Sequence, residues 1–233
     1  MNLPDVVSRE EWLVARKALL EKEKEVTRAR DMIAAERRKL PMVKVVKNYL
    51  FEGSNGTVTL LDMFEGRRQI VVRHFMFEPG ETEGCVGCSM QMDSIDGALE
   101  HMWARDTTFA VVARAPLSET GPFKARMGWR APWYSSSGSE FNYDYDVSTE
   151  QGDSPGVSAF IRDGDDVFHT YSIYDRGGDI FKNFYNYLDI TFLGRQEDEL
   201  EHGWEWWRHK DRYGAEDALV AGDNWWNGTR FQA

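Results

Sequence analysis

The stretch that decides the fold starts at residue 69: Gln-Ile-Val-Val-Arg-His-Phe-Met-Phe (69–77), Glu-Pro-Gly-Glu-Thr-Glu-Gly (78–84), then Cys-Val-Gly-Cys (85–88). Its first part is a nearly continuous apolar run, the pattern of a central strand buried on both faces. After the loop, Met92, Ile95, Leu99 and Met102 recur at helical spacing, so a helix is predicted to open at the cysteines. Cys85 and Cys88 are the chain's only two cysteines, and they lie at a strand-to-helix junction.

Working outward, residues 108–113 read as the next strand and 118–127 as a short helix, weakened in its first turn by Gly121-Pro122. Residues 128–156 are loop-rich. Residues 157–162 and 166–172 are two strands joined around Asp163-Gly164, and Ile180, Phe181, Phe184, Tyr185 and Leu188 mark a closing helix. From residue 69 the order is β-α-β-α-β-β-α, which predicts an α/β, thioredoxin-like fold. Upstream, Val43, Val45 and Phe51 are strand-like, and Asn55-Gly56 signals a hairpin before residues 57–60.

The first forty residues read as one long helix. Ser8 and Glu11 form a capping box, and Trp12, Leu19, Val26, Ile33 and Leu40 recur every seven residues. Lys22 and Glu36 keep this stripe narrow, and Pro41 is expected to end the helix. Such an arm either docks on its own domain or lies across a partner subunit. The tail from residue 195 carries Trp204, Trp206, Trp207, Trp225 and Trp226, which are expected to pack back onto the domain or a neighbour. Three parts are predicted: an arm (1–41), the thioredoxin-like domain (42–194) and a Trp-rich extension (195–233).

The chain has 233 residues, 42% hydrophobic and 29% charged, with a formal net charge of −11. This balance argues against wholesale disorder, and the acidic excess argues against nucleic acid or an anionic membrane as partner. No apolar stretch approaches the ~20 residues needed to span a bilayer. Met1–Asp5 lacks the pattern of a secretory signal, so a cytoplasmic location with reduced thiols is expected.

Cysteines at i and i+3 share a helix face and can close a small disulfide ring. A thiolate at a helix N-terminus is stabilised by free N–H groups and the macrodipole, which in this motif class brings the pKa to about 7 or lower. Cys85 is expected to attack and Cys88 to resolve the mixed disulfide. Glu78, Glu81 and Glu83 should oppose the thiolate, while His74 and Arg114 would offset them if they point toward the motif. Arg114 would then hold the thiolate or an anionic substrate group. His169 reads as a structural strand residue. For zinc, Cys85, Cys88 and His101 lack a second His at the required spacing; Met90 and Met92 could suit copper(I) but equally fit a helix core. No metal and no cofactor is predicted.

Several motifs together carry a family resemblance: Glu11-Trp12, 37–41 (RRKLP), 75–77 (FMF), 84–89 (GCVGCS), 114–117 (RAPL), 126–129 (RMGW), 132–136 (PWYSS), 141–144 (FNYD) and 167–171 (VFHTY). Over about residues 8–213 the chain resembles a bacterial domain-of-unknown-function family of the thioredoxin-like superfamily. That resemblance implies a thiol–disulfide oxidoreductase acting on a protein or small-molecule disulfide or thiol. It also implies a cis-proline facing the disulfide, for which Pro155 is the candidate. Residues 60–66 and 133–147 resemble the peroxiredoxin branch, and Pro79, Thr82 and Cys85 resemble its active-site signature with the first spacing one residue short. The sequence thus supports disulfide exchange through Cys85 and Cys88. The alternatives are a thiol peroxidase using Cys85, or a non-catalytic interaction or metal-binding protein; a homodimer through the arm or tail is expected.

Overall fold

The computed structural model describes residues 3–214, so Trp225 and Trp226 lie outside the described residues. Two compact units are distinguished, 1–41 and 42–233. The first is built on helix α1 (Arg9–Arg37). Its start is the expected reciprocal box: Glu11 N donates to Ser8 Oγ at 3.2 Å, and Ser8 N donates to Glu11 Oε2 at 2.9 Å. The helix stops at Arg37, before Pro41, where Lys39 N turns back onto Glu36 O at 2.9 Å. Trp12, Leu19, Val26 and Ile33 are each about half exposed, and nothing within this unit covers them.

The second unit contains strands β1 (Val43–Lys44), β2 (Leu50–Gly53), β3 (Gly56–Thr59), β4 (Gln69–His74), β5 (Thr107–Ala113), β6 (Trp133–Ser135), β7 (Ser148–Thr149), β8 (Gly152–Asp153), β9 (Gly156–Asp163) and β10 (Asp166–Tyr174). Its helices are α2 (Val86–Ile95), α3 (Leu99–Trp103), α4 (Leu117–Met127), α5 (Phe141–Asp144) and α6 (Asn183–Leu188). Eight strands form one sheet in the order β1-β10-β9-β4-β5-β6-β2-β3, and β7 pairs with β8 apart from it. β4 is central, as its apolar run requires: Val72 faces Ala110 of the parallel β5 and Ser158 of the antiparallel β9. The order β10-β9-β4-β5, with α2 crossing from β4 to β5, is the thioredoxin-like arrangement, and the hairpin β2–β3 and the N-terminal helix are additions to it.

Strand alternation sends successive side chains to opposite faces and so makes two cores. Ile70 and Val72 pack with Phe51, Phe64, Phe141 and Phe160 on one side. On the other, Phe75, Phe77, Phe109 and Val111 pack with Cys85, Cys88 and Met92 of the α2 region.

Four expectations need correction. The two-residue turns are 54–55 and 164–165, each one residue from the expected pair. Pairing Phe51 with Val58 buries Phe51 and Gly53, and a slip would turn Phe51 outward. The expected single helix after the cysteines breaks at 96–98, because Asp96 Oδ1 accepts from Arg130 N at 2.7 Å and Ala131 N at 2.9 Å. The closing helix is interrupted at Lys182, leaving Ile180 and Phe181 exposed and burying Tyr185. The loop-rich region contributes β6, paired parallel to β5, and this carries the sheet on to the hairpin.

Candidate active site

Cys85 is the N-cap of α2, anchored by its own N–H on Met76 O at 3.0 Å and by Ser89 Oγ donating to Cys85 O at 2.8 Å. Its Sγ accepts the Cys88 N–H at 3.2 Å, so a free donor of the helix's first turn is aimed at sulfur. Cys85 and Cys88 are 4% and 1% exposed, and both thiols are free. A cavity of about 550 Å³ opens at Cys85, walled by Arg73, Pro155, Lys182, Trp204 and Trp207, whereas Cys88 does not reach it.

The cation beside the sulfurs is Arg73, one residue before the expected His74. Arg73 is 4% exposed; its Nη1 donates to Gly156 O at 2.9 Å and its Nε has no partner. Burial pushes both thiols up. In Cys88 this is outweighed by the hydrogen bond with Cys85, by Arg73 and by the Met76 backbone, and its pKa falls to about 6. Cys85 stays well above the ordinary thiol range, through burial first and its hydrogen bond with Cys88 next. The two sulfurs interact directly, so the first proton lost belongs to the pair rather than to either sulfur.

Other expected site residues lie elsewhere. His74 points to the opposite face, stacked on Phe141 at 5.4 Å with Nε2 2.8 Å from Ser158 Oγ, and burial lowers its pKa to about 3. Arg114 is tied to Asp153 at 2.8 Å, Glu78 at 3.3 Å and the Tyr143 hydroxyl at 2.9 Å, and does not line the cavity. Thr82 is exposed on the loop. Pro155 does line the cavity with Cys85, but no peptide bond among the described residues is cis. The three loop glutamates are diverted from the sulfurs: Glu78 pairs with Arg114, Glu81 accepts from Glu78 N at 2.7 Å, and Glu83 is held by Arg126 and Arg212. His169 Nε2 lies 2.8 Å from Ser172 Oγ, a structural partner within β10. Among the described residues no group of three or more His, Cys, Asp or Glu side chains is placed to hold a metal ion. Met92 is fully buried in the core beside Phe75.

Sequence reasoning missed Arg73 and Lys182, and did not foresee that the tail reaches the cysteines. A Cβ on Gly87 would stand 2.7 Å from Trp207 Cζ3, so the glycine between the cysteines is the seat of that indole. Lys182 Nζ lies 3.8 Å from the centre of the Trp207 ring and 3.0 Å from Asp179. Trp207 Nε1 donates to the Tyr185 hydroxyl at 2.9 Å. Further on, His209 Nε2–H donates to Gly84 O at 3.0 Å and its Nδ1 accepts from Arg126 Nη2 at 3.1 Å, which fixes a neutral ring. The tail thus closes over the loop that carries Cys85, packing on the domain as its aromatic pairs suggest.

A family model described as "Bacterial protein of unknown function (DUF899)" matches residues 1–213. No curated protein matches. Among solved structures, a peroxiredoxin Q of Xanthomonas campestris is 13% identical with a TM-score of 0.45, covering 59% of this chain and 90% of its own. The peroxidoxin BcpB of Mycobacterium tuberculosis is 10% identical with a TM-score of 0.47, over 62% of this chain and 95% of its own. A 2-Cys peroxiredoxin of Plasmodium vivax is 12% identical with a TM-score of 0.43, over 61% and 90%. The fold assignment stands on the strand order, and the site chemistry on the residues above. No helix among the described residues is long and apolar enough to cross a membrane.

Proposed function

We propose that this chain, which belongs to the bacterial family of unknown function DUF899, catalyses thiol–disulfide exchange through Cys85 and Cys88. The observation that carries this reading is the pair itself: two free thiols adjoin at a helix N-terminus, and Cys85 lines a cavity that Cys88 does not reach. A mixed disulfide then forms on Cys85, the sulfur a ligand can reach. Cys88, whose ionisation Arg73 and the Met76 backbone favour, attacks that bond as a thiolate, or leaves as one in the reverse direction.

Cys85→Ser is expected to abolish turnover of a dithiol-coupled disulfide assay. Cys88→Ser should accumulate a mixed disulfide, visible by intact mass as the protein plus one half of the substrate. Full activity in the double serine variant would refute the reading.

A thiol peroxidase using the same Cys85 is the second reading, supported by the buried Arg73, which would polarise a peroxide beside sulfur. Sulfenate on Cys85 after one equivalent of hydrogen peroxide, formed faster than disulfide exchange, would favour it.

A further inference from the structure

The cavity at Cys85 carries charges in three settings. Arg176 and Asp175 lie on its exposed rim. The others are met: Asp179 holds Lys182 at 3.0 Å, Arg195 holds Asp189 at 2.6 Å, and Glu197 accepts from the Tyr185 hydroxyl at 3.1 Å and Trp206 Nε1 at 2.8 Å. Arg73 differs, because it is buried, no carboxylate among the described residues pairs with it, and its Nε is unbonded. A buried guanidinium is costly unless an anion faces it. In the reduced protein that anion is the thiolate of the cysteine pair, whose ionisation Arg73 favours. When the pair closes to a disulfide the negative charge is gone, and Arg73 is left facing a cavity with no counter-ion.

We infer that the oxidised protein binds a small thiol carrying a carboxylate, whose anionic end pairs with Arg73 while its sulfur reduces the Cys85–Cys88 disulfide. The inference rests on the exchange reading. The ligand thiolate attacks Cys85 Sγ, the Cys85–Cys88 bond breaks, and Cys88 departs as a thiolate. A second ligand thiolate attacks the ligand sulfur of the mixed disulfide and releases Cys85, which takes up a proton. Two thiols are oxidised to one small disulfide, and the protein disulfide is reduced by the same two electrons. The cavity, about 550 Å³ and flanked by Trp204 and Trp207, admits a small molecule rather than a folded protein chain.

The test uses the full chain oxidised with diamide and three thiols of similar size: 3-mercaptopropionate, 2-mercaptoethanol and cysteamine. Rates of disulfide reduction are compared per unit of thiolate. The anion is expected to lead the neutral thiol by about tenfold or more, and the cation to trail, since a charge-assisted contact in a buried site is worth that much. In Arg73→Met the lead should vanish, and Arg73→Lys should restore part of it. Should Arg73→Met not fold, propionate added to the wild type should raise the half-saturating concentration of 3-mercaptopropionate. Equal rates for all three thiols, or no effect of propionate, would overturn the inference while leaving the exchange reading intact. If diamide never closes the pair, the reading and the inference fall together.

Discussion

At the scale of single residues, the spacer between the cysteines is explained by what rests on it. Gly87 has no side chain because the Trp207 ring occupies that space, with a virtual Cβ at 2.7 Å. Gly87→Ala would cost about 1–3 kcal/mol if Trp207 held its place. The cheaper response is for the indole to swing away and open the cavity. Alkylation of Cys85 by iodoacetamide is therefore expected to accelerate about tenfold, with little change in global stability. An unchanged alkylation rate would mean that Trp207 does not guard the sulfur. Nothing near residue 87 in the sequence announces this contact, because its partner lies far along the chain. Arg73 was legible in principle. Once α2 is known to pack on the side of Phe75 and Phe77, a period of two assigns residue 73, not 74, to the cysteine face.

At the scale of elements, β4 is the strand on which both chemistries hang. Its Arg73 serves the cysteines, and its His74 begins a chain of hydrogen bonds on the other face, buried at that end and half-buried beyond it. His74 Nε2 lies 2.8 Å from Ser158 Oγ, Ser158 Oγ lies 2.7 Å from Ser172 Oγ, and Ser172 Oγ lies 2.8 Å from His169 Nε2. Burial holds His74 neutral down to about pH 3, while in the unfolded chain it takes a proton near its ordinary 6.5. Below 6.5 the unfolded state binds the extra proton, so stability is intact above that pH and falls as pH drops toward 3. The slope is about 1.4 kcal/mol per pH unit, or roughly 2 kcal/mol by pH 5. His74→Gln, which keeps a hydrogen-bonding group at Ser158, should flatten urea-determined stability between pH 6.5 and 5; an unaltered slope would show that other groups carry the acid sensitivity. The core strands were readable because β4, β5, β9 and β10 are long, apolar and bounded by turn residues. The turns, the break at Asp96 and the interrupted closing helix were not, since each is set by a tertiary contact: a register, a carboxylate taken by Arg130 and Ala131, and a lysine drawn onto Trp207.

At the scale of the whole molecule, the tail makes the site more than a thioredoxin-like core. His209 is 4% exposed, bonds Gly84 O at 3.0 Å and packs edge-on against Phe123 at 5.2 Å, so it latches the segment that brings Trp204 and Trp207 to the cavity. His209→Ala removes that latch and leaves Gly84 O unpaired, costing about 1–3 kcal/mol of local closure. Limited proteolysis within residues 195–214 should quicken about tenfold while the core stays protected. Equal cleavage of variant and wild type would dismiss the latch. This arrangement was the least legible, because an irregular tail has no period to read and its docking partner is a backbone carbonyl.

One consequence of the Trp207 seat concerns the order in which the protein is made. Cys85 leaves the ribosome about 120 residues ahead of Trp207, roughly 6 to 24 s earlier at about 5–20 residues per second. Through that interval the two thiols belong to a nascent chain whose cover has not been synthesised. The birth of each molecule is thus its most reactive moment, and the fraction that survives it unmodified is decided by the thiol poise of the cell before the finished structure can protect anything.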